Sequence, residues 1–510
     1  MPPSADPADW IDNAARAYPG GVFLRTPGGR NMDYAGLRDE SGRFAAALTR
    51  LGVVPGDRVA VQVEKSVDAV LLYVACLRMG AVFVPINIAN TPNEVEYFLC
   101  DTQARIAVIR PADRAVLEPL AQRAAVHLET LGADGEGSLA ALARQADAEF
   151  NLPARFTPQS LAAVVYTSGT TGRSKGAMLS RENLASNAAA LAAAWRFTSG
   201  DVLLHVLPLF HVHGLFAAIN TVLASGSSLL LLPNFDAAAV LRLLPQVTVF
   251  MGVPTHYTRL LQHSGLNHQA TAGMRLFVSG SAPLLAETHQ EFLRRTGHAI
   301  LERYGMTETL MNTSNPYEGM RKPGSVGPPL PGIAIRIVDP ATGALEPLAD
   351  AIGALEVAGP NVFAGYWRDP VKTRGEFAAD GWFKTGDLAR IDSDGYVHVV
   401  GRARDLVISG GCNVYPKEVE MELDAQNGVA ESAVFGVPHP DFGEGVTAVV
   451  VAKPGTALSE AELIGALQVR LARYKIPKRV LLVEELPRNT MGKVQKNILR
   501  SAHATLYSPK

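Results

Sequence analysis

The stretch YTSGTTGRSKG, Tyr166 to Gly176, is the part of the chain best equipped for chemistry. From Thr167 to Gly176 every residue except Arg173 and Lys175 is Gly, Ser or Thr. Glycines let backbone N–H groups approach a ligand closely, hydroxyls add donors, and a lysine adds a point charge, so such a loop suits a polyanion. The loop is not of the GxxxxGK[ST] type, because Gly169 and Gly172 stand three apart and Lys175 is followed by Gly176. On composition alone a flexible surface loop fits equally well, and only other motifs decide between the two.

A loop of this kind needs a rigid frame. The apolar run LAAVVY before it reads as a strand, and a helix-like run follows. Short apolar runs alternate with helical patterns over most of the chain, as in RVAVQVEKSVDAVLLYVACLRMGAVFVPIN and GDVLLHVLPLFHVHGLFAAINTVLASGSSLLLLP. This alternation predicts α/β units around largely parallel, layered sheets. From Gly353 the texture changes to short strands and Asp-Gly turns, which predicts a distorted antiparallel sub-barrel. After Asp405 a compact tail follows, of the size of a separate small α+β domain. The expected division is residues 1–401 and 402–510, with the joint at Gly401–Asp405.

With 510 residues, 47% apolar and 19% charged, the chain has ordinary globular composition and is too long for one core. A net charge of −2 gives no global field towards nucleic acid or anionic membrane, so neither is expected as a partner. Cys76, Cys100 and Cys412 are far apart, which suggests neither a zinc site nor a disulfide framework and fits the reducing cytoplasm. The first residues carry Asp6, Asp9 and Asp12 and no apolar core, which argues against a secretory or transit peptide. No apolar run is long enough for a membrane span.

Six further motifs follow the loop: LPLFHVHG (207–214), VSGSAPL (278–284), RYGMTET (303–309), GWFKTGDL (381–388), GRARDLVISGG (401–411) and PRNTMGKVQK (487–496). In this order, over nearly the whole chain, they resemble the adenylate-forming superfamily of acyl-CoA synthetases, luciferases and peptide-synthetase adenylation domains. The resemblance implies a large N-terminal domain, a small mobile C-terminal domain, and the co-substrates ATP, Mg²⁺ and coenzyme A. It implies a two-step reaction, in which a carboxylate attacks the α-phosphate of ATP and a thiol then displaces AMP. Both steps need charge neutralisation more than a strong base.

The same resemblance implies roles for single residues. Thr167, Ser168, Gly169, Thr170, Thr171 and Lys175 would cradle the β- and γ-phosphates. Gly280 and Ala282 would let the backbone lie close to the flat base, Tyr304 would stack on it, and Ser281, Glu302, Gly305 and Met306 would also belong to the cofactor-binding site. Thr307 would touch the α-phosphate and Glu308 would hold Mg²⁺, a hard cation that prefers carboxylate oxygen. Asp387 would accept both ribose hydroxyls, assisted by Arg402. Lys493 would stabilise charge in the transition state of adenylation. Arg404–Asp405 would be the hinge, Gly410 and Gly411 would line the CoA tunnel, and His211 would gate it. No role falls to His213, which is expected to be a satisfied structural histidine. A lysine whose charge carries catalysis is also a natural target for an acetyltransferase.

The acid is the open question. Arg303 directly precedes YGMTE at the wall of the acyl pocket implied by the resemblance, and Arg259 lies in VPTHYTRLL on a segment lining the same pocket. Arginine is costly to bury without an anionic partner. A second carboxylate on the substrate would supply one, with Ser281 as a further donor. Arg275 and Arg321 are alternative clamps. The wording around Arg303 resembles the malonate-activating branch of the superfamily, for which malonate, with methylmalonate as a second acid, is the expected substrate. The alternative is a CoA ligase for another short-chain or aryl acid, which would have no use for Arg303. A carrier-protein adenylation enzyme is disfavoured because no carrier-like domain is fused.

Overall fold

The computed structural model describes residues 6–18, 20–148, 156–167, 174–340, 342–346, 350–409, 412–489 and 492–508. Two layered sheets dominate. One has six strands in the spatial order His127–Thr130, Ile106–Ile109, Arg58–Gln62, Val82–Pro85, Leu161–Thr167 and Lys175–Ser180. All its pairings are parallel except the last, where Leu161–Thr167 and Lys175–Ser180 run antiparallel and flank the Gly/Ser/Thr loop. The other has eight strands, with Leu301–Met306, Leu276–Ser279, Val249–Gly252, Val202–His205 and Ser228–Leu231 as its parallel centre.

Val67–Met79 illustrates how the layers are held. VDAVLLYVACLRM is apolar on nearly every side, so the helix has no face for water and must lie inside. All thirteen of its residues are buried. Ser66 caps it by accepting from the Ala69 N–H at 3.1 Å, and Gly80, at φ 76°, ends it in the left-handed conformation. Each large side chain of such a helix contributes about 1.5–3 kcal/mol by burial. Leu72→Ala would cost roughly 2–5 kcal/mol.

The segment rich in Asp-Gly turns forms a four-stranded antiparallel sheet of Ala334–Val338, Gly353–Ala358, Phe383–Ile391 and Val397–Arg402. Asp394-Gly395 makes one of its turns, with Gly395 at φ 83°. A short 3₁₀ helix, Ala403–Asp405, then leads into a separate five-stranded sheet of Val407–Ser409, Cys412–Val414, Val429–His439, Gly443–Ala452 and Arg479–Val483. The helices Pro416–Asp424 and Glu460–Gln468 pack on it over their own apolar cluster, which includes Val419, Leu423, Val434, Val446 and Leu463. The fold class is therefore the expected one, mixed α/β layers with a separate small α+β unit, and the segment expected to form a sub-barrel forms a four-stranded antiparallel sheet.

This small unit meets the rest of the chain sparingly. The helix Pro416–Asp424 lies against the strand Val397–Arg402, Lys453 pairs with Glu287 at 2.8 Å on an exposed surface, and Gly492 sits against Thr255. Asp405, in the joint, pairs with Arg500 at 2.7 Å. Among the described residues no helix is long and apolar enough to cross a membrane.

Candidate active site

The C-terminal ends of the parallel strands in both sheets open onto one cleft, where a sheet of this kind offers its ligand site. Val202–His205 runs on to His211 and His213. Leu276–Ser279 runs on to Gly280, Ser281 and Ala282, and Leu301–Met306 to Thr307 and Glu308. Val249–Gly252 leads into the helix Pro254–Leu261. Leu161–Thr167 leads to the loop, of which Ser168, Gly169, Thr170 and Thr171 lie outside the described residues, as do Gly410 and Gly411.

Alternation along Leu301–Met306 sends Glu302 and Tyr304 to one face of the strand and Arg303 to the other. On the first face Tyr304 donates its hydroxyl to Asp387 Oδ2, while Arg402 Nε holds Asp387 Oδ1 at 2.9 Å. The Asp387 N–H donates to Thr385 Oγ1 at 3.0 Å, which fixes the turn. Glu302 is buried and accepts from the Gly324 N–H at 3.3 Å, and burial pushes its carboxyl up to about 8. Gly305 is required by the backbone, since a Cβ there would lie 2.0 Å from the Leu310 carbonyl oxygen. Met306 and Thr307 are half-buried at the end of this strand.

Glu308 is buried and accepts from the Tyr366 hydroxyl at 2.9 Å, and desolvation raises its pKa. It is in no ion pair among the described residues. Lys175 Nζ lies 5.7 Å from the centre of the Tyr366 ring, so the lysine and Glu308 flank one phenol. Lys493 enters from the small unit. Its ammonium is open to the cleft but flanked by protein, and its pKa is lowered by desolvation and then by Arg402, against the opposing pull of Asp387. It also lies near enough to His211 to depress that imidazole. Lys493 therefore stands between the Asp387–Arg402 corner and the histidine segment.

On the other face of the strand Arg303 is 4% exposed, and its Nε and Nη2 have no hydrogen-bond partner among the described residues. No carboxylate neutralises it among the described residues, and burial pushes its pKa down to about 9. Gly280 is the floor beneath the guanidinium: a Cβ there would lie 2.4 Å from Arg303 Cζ. The glycine therefore serves Arg303 directly, rather than only an approaching flat base. His213 is fully buried beside it, with Nδ1 3.3 Å from Ser281 Oγ and Nε2 unpartnered. Burial, then Arg303, pushes the His213 pKa well down, and the same two causes with Lys493 take His211 to about 4. Both rings are neutral at physiological pH. The expectation that His213 is a satisfied structural residue fails, because half of its imidazole has nothing to bond.

The other arginines separate cleanly. Arg275 is engaged by Asp201, with Nε–Oδ1 at 2.6 Å and Nη2–Oδ2 at 2.8 Å. Arg321 is spent on the carbonyls of Pro316, Ala299 and Tyr317. Arg259, expected in the pocket, stands on the exposed side of its helix. Tyr257 and Leu260 take the inward positions there, and Arg259 lies two residues round from Tyr257, which is nearly opposite on a helix. Of these four arginines Arg303 alone is, among the described residues, a buried cation with neither an anion nor carbonyls to engage its Nε and Nη2. Ser281, at φ 72°, holds a strained backbone that aims its hydroxyl at His213. Tyr366 was missed from the sequence, and FAGYW carries no signal that would have found it.

The chain matches the AMP-binding enzyme model over residues 11–367 and the AMP-binding enzyme C-terminal domain model over residues 418–493. ATP-bound MatB from Rhodopseudomonas palustris is 52% identical, with a TM-score of 0.95 over 98% of this chain and 100% of that one. A mitochondrial malonate–CoA ligase of Mus musculus is 37% identical over 506 residues, covering 91% of this chain and 86% of its own length. A feruloyl-CoA synthase from an Amycolatopsis species is 36% identical over 501 residues, covering 96% of this chain and 98% of its own. With its cleft, its two matched domains and these relatives, the chain belongs to the AMP-binding enzyme family of acyl-CoA ligases.

Proposed function

We propose that this chain ligates malonate, with methylmalonate as a second acid, to coenzyme A through a malonyl-adenylate. Pyrophosphate is released first and AMP second. The observation that carries the reading is Arg303: a buried guanidinium with two nitrogens unpartnered and no carboxylate near it among the described residues. Leaving such a cation unpaired costs several kcal/mol. A substrate with one carboxylate to react and another to pair resolves that cost. MatB and the malonate–CoA ligase of Mus musculus resemble the chain over most of its length, and the name of the latter carries the same chemistry. The feruloyl-CoA synthase is nearly as similar as the latter, so overall identity does not choose the acid.

In this reading malonate's far carboxylate accepts from Arg303, and the neutral His213 and Ser281 add polar contacts. The near carboxylate attacks the α-phosphate, with Thr307 beside that phosphate and Thr167, Ser168, Gly169, Thr170, Thr171 and Lys175 around the β- and γ-phosphates. Asp387 and Arg402 hold the ribose, and Tyr304 stacks on the adenine beside Gly280, Ala282, Glu302, Gly305 and Met306. Glu308 fits Mg²⁺, since its buried carboxylate takes one phenol hydrogen bond and no cation. The ion, when bound, neutralises phosphate charge. Lys493 stabilises charge as the phosphorus–oxygen bond exchanges, from a location beside Asp387 and His211. Residues 402–510 then rotate about Arg404–Asp405, withdraw Lys493, and bring Gly410 and Gly411 to the thiol path that His211 gates.

The three described thiols are free, Cys76 buried and the other two exposed, which favours a reducing compartment such as the cytoplasm. Lys493, open to the cleft, is accessible to a lysine acetyltransferase. The test is AMP release with ATP, Mg²⁺ and CoA across malonate, methylmalonate, succinate, acetate, octanoate and 4-coumarate. Malonate is expected to lead by a wide margin in kcat/KM. Leadership by acetate, octanoate or 4-coumarate removes the proposal.

A further inference from the structure

Tyr366 carries a hydroxyl that its own packing does not need. The ring is buried and stands edge-on to Phe363, with ring centres 4.9 Å apart. Its face is the wall beside the Lys175 ammonium. A phenylalanine would make both contacts. The hydroxyl instead donates to Glu308 Oε1 at 2.9 Å, so it serves the buried carboxylate.

The segment that presents this phenol is anchored at both ends. The Phe363 N–H donates to the Glu308 carbonyl at 2.8 Å. Further on, the Ala364 N–H donates to the Met178 carbonyl at 2.9 Å, the Met178 N–H to the Gly365 carbonyl at 2.9 Å, and the Trp367 N–H to the Gly176 carbonyl at 2.7 Å. Residues 364–367 thus run antiparallel along Lys175–Ser180, with Tyr366 opposite Ala177. The Tyr366 N–H is held in turn by Thr373 Oγ1 at 2.9 Å. One clip of backbone therefore ties Glu308 to the strand that begins at Lys175, and the phenol stands between the two side chains.

Occupation of Oε1 has a chemical consequence. A carboxylate can meet a cation with one oxygen or with both. Among the described residues no other side chain donates to Glu308, so Oε2 is the oxygen left for an ion. Ca²⁺ tolerates flexible geometry and two oxygens from one carboxylate, whereas Mg²⁺ demands a near-octahedral shell of short single contacts. Hydrogen bonds to a ligating carboxylate fix which of these it offers.

We propose that Tyr366 positions Glu308 to meet the ATP-bound cation through a single oxygen, and that this makes the site prefer Mg²⁺ to Ca²⁺. The inference rests on the assignment of the metal to Glu308 above. Tyr366 is a positioning residue: it acts through Glu308, and no proton leaves its hydroxyl.

The test removes the hydroxyl and keeps the ring, as Tyr366→Phe. With ATP present and malonate and CoA absent, no ligation runs and melting reads binding alone. In the wild type the rise in melting temperature with ATP and Mg²⁺ is expected to exceed that with ATP and Ca²⁺. In Tyr366→Phe the two rises are expected to converge. The two cations are compared within one protein, so a general loss of stability cancels. In the full reaction the Mg²⁺ concentration for half-maximal AMP release is expected to rise roughly tenfold or more. The KM for ATP at saturating Mg²⁺ is expected to stay within about twofold, because Lys175 keeps its wall. In a Glu308→Gln background Tyr366→Phe is expected to change the cation preference no further. An undiminished preference for Mg²⁺ in Tyr366→Phe, or the same loss in both backgrounds, overturns the inference and makes Tyr366 a packing residue. If Glu308→Gln alone leaves the Mg²⁺-dependent rise unchanged, the assignment of the metal to Glu308 falls, and the inference with it.

Discussion

Arg303→Met isolates the reason for a buried cation. Burial pushes the guanidinium from its usual high range down to about 9. Below pH 9 the folded chain therefore carries a charge it disfavours relative to the unfolded chain, and this penalty fades only as pH rises above about 9. The drop bounds the penalty at several kcal/mol at neutral pH. Methionine fills most of the space without charge, so the unliganded variant is expected to melt higher than the wild type by several degrees. Malonate recognition is expected to move the other way. Stranding the second carboxylate in a buried pocket costs about 2–5 kcal/mol, a loss of roughly thirty- to several-thousand-fold in kcat/KM. Acetate, with no second carboxylate, is expected to lose little or to gain. The assays are AMP release with each acid and thermal melting with and without malonate. Malonate should raise the melting temperature of the wild type and not of the variant. Equal losses for malonate and acetate, or a variant less stable than the wild type, would refute the reasoning and make Arg303 a structural cation.

Gly280→Ala would place a methyl 2.4 Å from Arg303 Cζ, so the guanidinium must shift. Since a 1 Å misplacement costs up to about a hundredfold, malonate kcat/KM is expected to fall by about ten- to a hundredfold while acetate changes little, in steady-state assays of both. Glu302, held at about 8, keeps its proton where the unfolded chain gives it up, so stability falls as pH rises from about 4.5 to 8. Glu302→Gln is expected to flatten that slope, and melting curves at pH 5 and pH 8 with identical slopes for both proteins would disprove it. Lys493→Ala is expected to lower pyrophosphate exchange by about 10²–10³-fold and to leave thiolysis of supplied malonyl-adenylate nearly intact. Equal loss of both would show that Lys493 serves both steps.

Elements with a strong local signature were legible in the sequence. The helix Val67–Met79 is apolar all round and is buried all round, and the Asp-Gly turns from Gly353 onward do belong to an antiparallel sheet. The alternation of Glu302, Arg303 and Tyr304 was legible in principle, since a strand sends neighbours to opposite faces. What failed was pairing between distant segments. His213 was expected to be satisfied, but its one ring partner, Ser281, lies 68 residues away and reaches only Nδ1. Arg275 could not be dismissed until Asp201, 74 positions earlier, was seen beside it. Arg259 was placed in the pocket because its helix borders the pocket, yet the phase of that helix turns it outwards. Lys65, whose Nζ donates to the His205 carbonyl 140 residues on, gave no signal. Such partners depend on the order of strands in the sheets, which local patterns do not state.

If the small unit rotates as proposed, the few bonds described between it and the body would set the tempo of that cycle. Lys453–Glu287 is exposed on both sides and worth at most about 1 kcal/mol, and Gly492 offers Thr255 no side chain at all. A contact set this weak would hold the small unit only while something else favours the arrangement seen here. In the proposed reading the triphosphate does so, because its charge is what Lys493 would meet. Departure of pyrophosphate would then remove much of that attraction at the moment the first step ends. Release of the unit would be timed by the chemistry, with no separate trigger required.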